Sequence, residues 1–306
     1  MKINADMNMI KRTISGFVIG WISFFCLLYG GLPLMIIIAI ISTIGSLEFV
    51  KILNHKGFYP FKSVIVFVNL AILFAVSVKL PQLLPLIFYI GSAFAFLAVI
   101  FRGRQPYIAN AATTALGFMY LGWLPAHIIM VRQLDSHTLG FINFEINNGI
   151  IFLLMYFFGV LATDIGAFYF GKKFGKRKLA PVISPNKTVE GSIGGCISTI
   201  IVCLVIAIFA NLNKGWNFDI SIPHTIILAI IITAFAQLGD LAESLLKRDA
   251  GVKDSGASIP GHGGFLDRTD GYIFAAPAVF YYVNYFILHN NYGLITRILE
   301  ILNVAK

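Results

Sequence analysis

The segment "SIGGCISTIIVCLVIAIFAN", residues 192–211, contains no charged side chain in twenty positions. As a helix with a rise of about 1.5 Å per residue it is about 30 Å long, which matches the hydrocarbon core of a bilayer. The whole chain of 306 residues is 58% hydrophobic and 12% charged, a composition that the core of a soluble domain does not accommodate. The sequence therefore predicts an integral membrane protein.

Apolar runs of similar length recur along the chain, without the strict alternation of a transmembrane β-barrel. We predict an all-α polytopic membrane protein that is a single membrane domain over residues 1–306. Residues 1–150 would form an N-terminal lipid and scaffold part, and residues 151–290 the catalytic helices and loops. About nine transmembrane helices are expected, at approximate positions 13–29, 32–50, 63–79, 83–101, 108–131, 150–170, 192–211, 223–241 and 271–288.

The distribution of basic residues predicts the orientation, because Lys and Arg near helix ends are retained on the cytoplasmic side. With a cytoplasmic N-terminus, 18 of the 23 basic residues fall in cytoplasmic segments. Topology thus explains most of the net charge of +9, and nothing in the sequence indicates nucleic acid as a partner. The expected location is an integral protein of a bacterial cytoplasmic (inner) membrane, with its polar loops facing the cytoplasm.

Two of these polar loops contain carboxylates that topology does not require. They are residues 163–192 and residues 239–271, which together hold eight of the 14 acidic residues. Acids and bases interleaved on glycine-rich loops are typical of a site for a metal ion and a polyphosphate. The sequence therefore places the candidate chemistry in these two segments.

In the second segment, a continuation of the eighth helix would place Asp240, Glu243, Ser244 and Lys247 on one helix face. Asp240 and Asp267 could supply the one or two carboxylates that Mg²⁺ usually takes from a protein. The glycines at 261, 263 and 264 would let the backbone approach an anion, with positive charge from Lys247, Arg248 and Lys253. The alternative is a solvated loop in which acids and bases pair with one another and the aspartates cap helices.

The first segment contains "SPNKTVEG", residues 184–191, in which Lys187 and Thr188 can bind phosphate. Glu190 could order the loop or approach a metal. The same stretch also fits the start of the seventh helix, with Lys187 as an ordinary cytoplasmic charge. Asp164 lies within an apolar run, where an ionisable group is costly unless it faces protein, water or a ligand. A buried structural role is its alternative, and His262 could contact a phosphate, transfer a proton or be a turn residue.

The residues of the second segment resemble the signature of the phosphatidate cytidylyltransferases, also called CDP-diacylglycerol synthases. The spacing is S-x-x-K-R-x4-K-D-x-G-x2-I-P-x-H-G-G-x2-D-R-x-D, from Ser244 to Asp270. "TDIGAFYFG" and "SPNKTVEG" upstream also resemble this family, so the detailed likeness covers about residues 160–275. Two positions depart from the family pattern, Ile165 after the aspartate and Val189 where an aromatic is frequent, and neither is charged.

The resemblance implies that CTP and phosphatidate react to CDP-diacylglycerol and pyrophosphate with Mg²⁺, and that a second metal ion could take part. Phosphatidate in the bilayer and CTP are the implied partners, with a homodimer as a further one. The implied site residues, by role, are as follows: catalytic, Asp240, Asp267, Lys247, Arg248 and, for positioning, His262; substrate-binding, Ser184, Lys187, Thr188, Glu190, Ser244, Lys253, Asp254, Gly263, Gly264 and Arg268; metal-binding, Asp240, Asp267, Asp270 and Asp164.

Two other classes of protein are alternatives. A secondary transporter would also be polytopic, but it should carry polar residues and broken helices in matched positions of two repeats, and here Asp164 alone comes close. Another CTP-dependent lipid phosphotransferase, of the CDP-alcohol type, would need a D-G-x2-A-R opening. "DGYIFA" at 270–275 has Phe274 and Ala275 in place of Ala and Arg.

Overall fold

The computed structural model describes residues 20–135, 147–216, 218–256, 258 and 263–288. Within these ranges the chain is almost entirely helical, with one two-stranded hairpin. Short 3₁₀ turns lie at Pro81–Leu83 and Lys214–Trp216. The longer elements are α1 Gly20–Tyr29, α2 Gly31–Lys56, α3 Lys62–Ser77, α4 Leu84–Arg102, α5 Tyr107–Arg132, α6 Asn148–Phe174, β1 Lys178–Ala180, β2 Ser184–Thr188, α7 Val189–Leu212, α8 Ile222–Asp249 and α9 Leu266–Leu288.

Each predicted apolar run corresponds to one helix of the described ranges, although residues 13–19 of the first run lie outside them. Within the residues that the structure describes, seven helices are long and apolar enough to cross a membrane, whereas Gly20–Tyr29 and Lys62–Ser77 are shorter. The membrane class is therefore confirmed. At the polar loops the helices extend beyond the approximate apolar spans. α8 continues past residue 241 to Asp249, as the continuation of the eighth helix predicted, whereas α9 begins at Leu266 instead of residue 271.

Side-chain caps determine where several helices begin. The Asn147 side chain accepts a hydrogen bond from the Ile150 N–H at 3.1 Å at the start of α6. Thr188 accepts from the Gly191 N–H at 3.1 Å at the start of α7. Such caps satisfy backbone donors that have no partner inside the helix. Thr188 thus marks a helix start, as one of the two sequence interpretations of this stretch predicted.

Close packing of α6, α7 and α8 forms the rigid part beneath the polar loops. A Cβ atom on Gly195 of α7 would lie 2.8 Å from the Thr163 carbonyl oxygen of α6, so glycine is needed for the two helices to approach. The buried Thr163 hydroxyl is 2.7 Å from that of Thr199 and 3.4 Å from that of Thr233. Small residues and hydroxyl pairs of this kind replace the hydrophobic effect between helices in a bilayer.

The hairpin departs from a purely all-α fold and was not predicted from the sequence. Its antiparallel strands pair Lys178 with Thr188. The Glu190 carboxylate accepts backbone N–H groups of Lys176 at 2.9 Å and Arg177 at 3.1 Å. The Arg248 Nε–H donates to the Ile183 carbonyl oxygen at 3.4 Å, which ties the turn of the hairpin to α8. The hairpin therefore lies over the end of the α6–α8 bundle.

Candidate active site

A cavity of about 670 Å³ lies between the hairpin and the ends of α6, α8 and α9. It is the place where the two polar segments of the sequence meet. Eight of the sequence-predicted site residues line it: Asp164, Ser184, Lys187, Thr188, Asp240, Asp267, Arg268 and Asp270. The structure therefore brings together residues up to 106 positions apart in the sequence, from Asp164 to Asp270.

One face of α6 supplies an acid and a base to this cavity. Asp164, Phe168, Gly171 and Lys172 are spaced as neighbours on one helix face, and all four line the cavity. Asp164 was predicted from the sequence as a site residue, whereas Lys172 was not. The helical spacing of eight residues from Asp164 was the signal that could have identified Lys172 as a cavity residue.

Lys187 of the hairpin forms an ion pair with Asp240 of α8. The two side chains are 27% and 37% exposed, so both remain accessible from the cavity. The buried Asp270 carboxyl of α9 lines the same cavity as Asp240, and it accepts the Gly271 N–H at 2.8 Å. Two carboxyl groups and one lysine thus converge on the cavity wall.

Lys247 pairs with two acids behind this wall. Its Nζ lies 2.5 Å from Glu243 Oε2, one turn earlier on α8, and 2.6 Å from Asp267 Oδ1 of α9. The side chains are largely buried, with 2% exposure for Glu243 and 13% each for Lys247 and Asp267. Lys247 is therefore a link between two helices and does not line the cavity.

Asp267 borders the cavity, but its carboxylate already accepts hydrogen bonds from other groups of the protein. Its Oδ2 accepts the N–H groups of Ser255 at 3.1 Å and Gly264 at 3.0 Å, and its Oδ1 pairs with Lys247. The backbone conformation at Gly263, with φ +85°, favours glycine and leads into this loop. The glycine run predicted to approach an anion thus places its Gly264 donor on a carboxylate of the protein itself.

Glu48 of α2 contacts the start of α9 and was not predicted from the sequence as a site residue. Its buried carboxylate accepts the N–H groups of Phe265 at 3.0 Å and Leu266 at 2.8 Å, at the start of α9, and the Ser255 hydroxyl at 3.3 Å. Backbone N–H groups at a helix start attract negative charge. Glu48 is the one acid between Asp6 and Asp135 of the sequence, and an isolated acid in an apolar helix was the available signal.

The remaining predicted residues lie outside the cavity wall. Lys253 and Asp254 are exposed in the loop after α8, Ser244 is half-buried on α8, and Glu190 and Arg248 hold the hairpin. His262, together with Gly261, lies outside the described residues. Within the described ranges, no three His, Cys, Asp or Glu side chains converge closely enough to hold a metal ion by themselves.

Comparison with known proteins places the sequence in a family. The sequence profile described as the Cytidylyltransferase family matches residues 10–286. The chain belongs to this family. A curated relative named phosphatidate cytidylyltransferase, from a Synechocystis species, is 33% identical over 289 residues, which is 89% of this chain and 96% of that protein. A protein of the same name from Staphylococcus aureus is 38% identical over 257 residues, which is 82% of this chain and 90% of that protein.

A third cytidylyltransferase relative, also named phosphatidate cytidylyltransferase, is from Staphylococcus saprophyticus. It is 50% identical over 131 residues, which is 43% of this chain and 48% of that protein. The family resemblance that the signature of residues 244–270 implied is thereby confirmed.

Proposed function

We propose that this membrane enzyme is a nucleotidyltransferase that makes CDP-diacylglycerol and pyrophosphate from CTP and phosphatidate in phospholipid biosynthesis. The observation that carries the proposal is the cavity lined by four aspartates, two lysines and one arginine at the ends of apolar helices. Such a cavity can admit a soluble polyanion on one side and a lipid headgroup on the other. The names of the relatives, which together match most of this chain, support the same activity.

The reaction requires two anions to approach each other. A phosphate oxygen of phosphatidate attacks the α-phosphorus of CTP, the bond from that phosphorus to the bridging oxygen breaks, and pyrophosphate leaves in line. Lys172, Lys187 and Arg268 line the cavity and would hold the phosphate oxygens in position. The attacking phosphate is ionised at neutral pH, so no strong general base is needed, and we assign His262 to positioning.

The acidic residues of the cavity fit a magnesium ion. Asp240, Asp270 and Asp164 present hard oxygen ligands to the same cavity. Mg²⁺ usually takes one or two protein carboxylates and completes its shell with water and phosphate oxygens, so a cluster of three is not required. When bound, the ion neutralises phosphate charge. Because both oxygens of Asp267 already accept hydrogen bonds, Asp240 and Asp270 are our first ligands, and a second ion would use Asp164 or Asp267.

The membrane topology that we propose is inferred from the distribution of Lys and Arg residues. Nine membrane crossings with a cytoplasmic N-terminus would place the cavity on the cytoplasmic side of a bacterial inner membrane, where CTP is available. We also propose that the enzyme assembles as a homodimer.

The decisive experiment uses the purified protein in lipid vesicles with CTP labelled at the α-phosphate, phosphatidate and Mg²⁺. We expect label in CDP-diacylglycerol with an equal amount of pyrophosphate. No labelled lipid, in conditions where a known phosphatidate cytidylyltransferase is active, would reject the proposed function.

The metal assignment is tested in the same assay with Asp240→Asn. Loss of a carboxylate ligand should lower turnover by more than about 100-fold or shift the Mg²⁺ requirement upward to a similar extent. Asp249→Asn is the matched control, since Asp249 lies on the same helix and pairs with Lys56 at the surface. Equal activity of the two variants would remove Asp240 from the metal site.

A further inference from the structure

A second, apolar cavity of about 280 Å³ lies next to the polar one. Its walls come from α1, α2, α5, α6 and α9, so it lies where the N-terminal helices meet the start of α9. The lining is almost entirely apolar, with Leu27, Ile37, Ile41, Ile128 and Phe157 among its residues. The function proposed above assigns no role to this cavity.

The two cavities share part of their walls. Arg268 and Tyr272 of α9 line both the apolar cavity and the polar cavity that contains the aspartates. Tyr272 is held by α6, because the Tyr156 hydroxyl donates to its carbonyl oxygen at 2.6 Å. The shared wall therefore has a cationic side chain at one position and an aromatic side chain one helical turn further along α9.

We propose that the apolar cavity binds an acyl chain of phosphatidate, with the lipid phosphate at Arg268. This inference rests on the proposed function and adds a binding site for the lipid. A basic residue at the mouth complements the phosphate, and the apolar walls beyond it match a hydrocarbon chain. The chain runs along α9 from Arg268 towards Ile273, about 7.5 Å at 1.5 Å per residue.

The shape of the apolar cavity determines which acyl chains it accepts. A chain that leaves the bilayer for an apolar protein cavity gains little free energy of transfer, because the lipid tails around it are equally apolar. What the cavity provides is a fixed distance between the chain and the phosphate, which holds the attacking oxygen next to the aspartates. Filling the far end of the cavity should therefore exclude long chains and leave short chains unaffected.

The protein contains another apolar cavity that serves as a matched control. Between α3 and α4 lies an apolar cavity of about 460 Å³, lined by residues such as Val64, Ala71 and Ile87. Within the described residues its lining includes no basic side chain and none of the residues of the polar cavity. It has the apolar character of the proposed site without the connection to the aspartates.

The test compares Ile37→Trp in the proposed site with Ile87→Trp in the control cavity. Both isoleucines are half-buried, so the two variants make the same change in similar surroundings. For Ile37→Trp we expect the KM for dioleoyl phosphatidate to rise at least about tenfold, because small changes in an apolar pocket already discriminate to this extent. The KM for CTP and the activity with dioctanoyl phosphatidate should stay within about twofold of the wild type, which also shows that the variant is folded. Ile87→Trp should leave all three values near those of the wild type.

Equal effects of Ile37→Trp on both chain lengths, or the same loss in Ile87→Trp, would overturn the inference while leaving the proposed function intact. Failure of the wild type with both phosphatidates would reject the proposed function itself. A phosphatidate with a diazirine near the end of one acyl chain gives an independent measurement. Crosslinks to α2 and α6 residues of the cavity support the site, whereas crosslinks confined to α3 and α4, or equal labelling by a diazirine phosphatidylcholine, contradict it.

Discussion

Lys247 provides the positive charge for two acids that are packed side by side. Glu243 is 2% and Asp267 13% exposed, and both contact its Nζ within 2.6 Å. Removal of one partner from a buried ion pair leaves an uncompensated charge. Lys247 thus stabilises the packing of the end of α8 against the start of α9.

Lys247→Met should lower the free energy of unfolding by about 3–5 kcal/mol, because Glu243 and Asp267 would then repel each other in a poorly solvated place. Denaturant unfolding of the purified protein in detergent measures this change. Lys56→Met is the control, since it breaks the Lys56–Asp249 pair, whose side chains are 39% and 59% exposed, and should cost less than about 1 kcal/mol. Equal losses in both variants would contradict the role of Lys247.

At the residue scale, spacing in the sequence identified the acids but not their partners. Asp240, Glu243 and Lys247 were expected on one face of α8, and the helix does continue to Asp249. That Lys247 contacts Asp267 and that Lys187 contacts Asp240 depends on how α8, α9 and the hairpin pack, which no local pattern specifies. The predicted roles of Lys253 and Asp254 remain predictions, and both are exposed in the structure.

At the scale of elements, the contact between α2 and the start of α9 joins the two parts of the chain. Glu48 accepts two backbone N–H groups that the first turn of α9 cannot satisfy by itself. A Cβ on Gly264 would lie 2.9 Å from Glu48 Oε2, so the loop approaches this carboxylate closely. α2 therefore helps to fix the positions of Asp267 and Asp270.

Glu48→Ala should lower kcat with a smaller change in the KM for CTP, and should cost about 1–3 kcal/mol of stability for each donor left unsatisfied. Steady-state kinetics and thermal unfolding measure the two effects. Glu48→Gln keeps one side-chain carbonyl oxygen and should retain part of the kcat and part of the stability. Asp135→Ala removes an exposed acid of the N-terminal half of the chain and is the control. A wild-type kcat in Glu48→Ala would show that α2 does not position the site.

Apolar runs predicted the helices well, because a segment that crosses a bilayer must satisfy its backbone hydrogen bonds internally. The same argument does not cover the hairpin, whose strands have three and five residues and lie outside the apolar runs. Glu190 of α7 accepts the backbone N–H groups of Lys176 and Arg177 just before β1, and Arg248 of α8 donates to the Ile183 carbonyl oxygen in the turn. Such short strands are stabilised by their surroundings, and local sequence preference gives little information about them.

At the scale of the whole molecule, the nine crossings that we propose would place the two chain ends on opposite sides of the membrane. We expect a tag at the N-terminus to be inaccessible from outside intact cells and a tag at the C-terminus to be accessible. Labelling of single cysteines in each tag with an impermeant reagent measures this. Equal accessibility of both tags would rule out nine crossings, and reversed accessibility would rule out the orientation inferred from Lys and Arg.

The contact of Glu48 with α9 also has a consequence for biosynthesis. Phe265, which supplies one of its donors, is 217 residues further along the chain. At a synthesis rate of about 5–20 residues per second, the ribosome needs roughly 10–40 s to make that interval. During this time the Glu48 carboxylate lacks its two backbone donors from α9, so water must supply its hydrogen bonds. Completion of the contact between α2 and α9, and of the cavity that α9 lines, is therefore a late event that follows the insertion of α9.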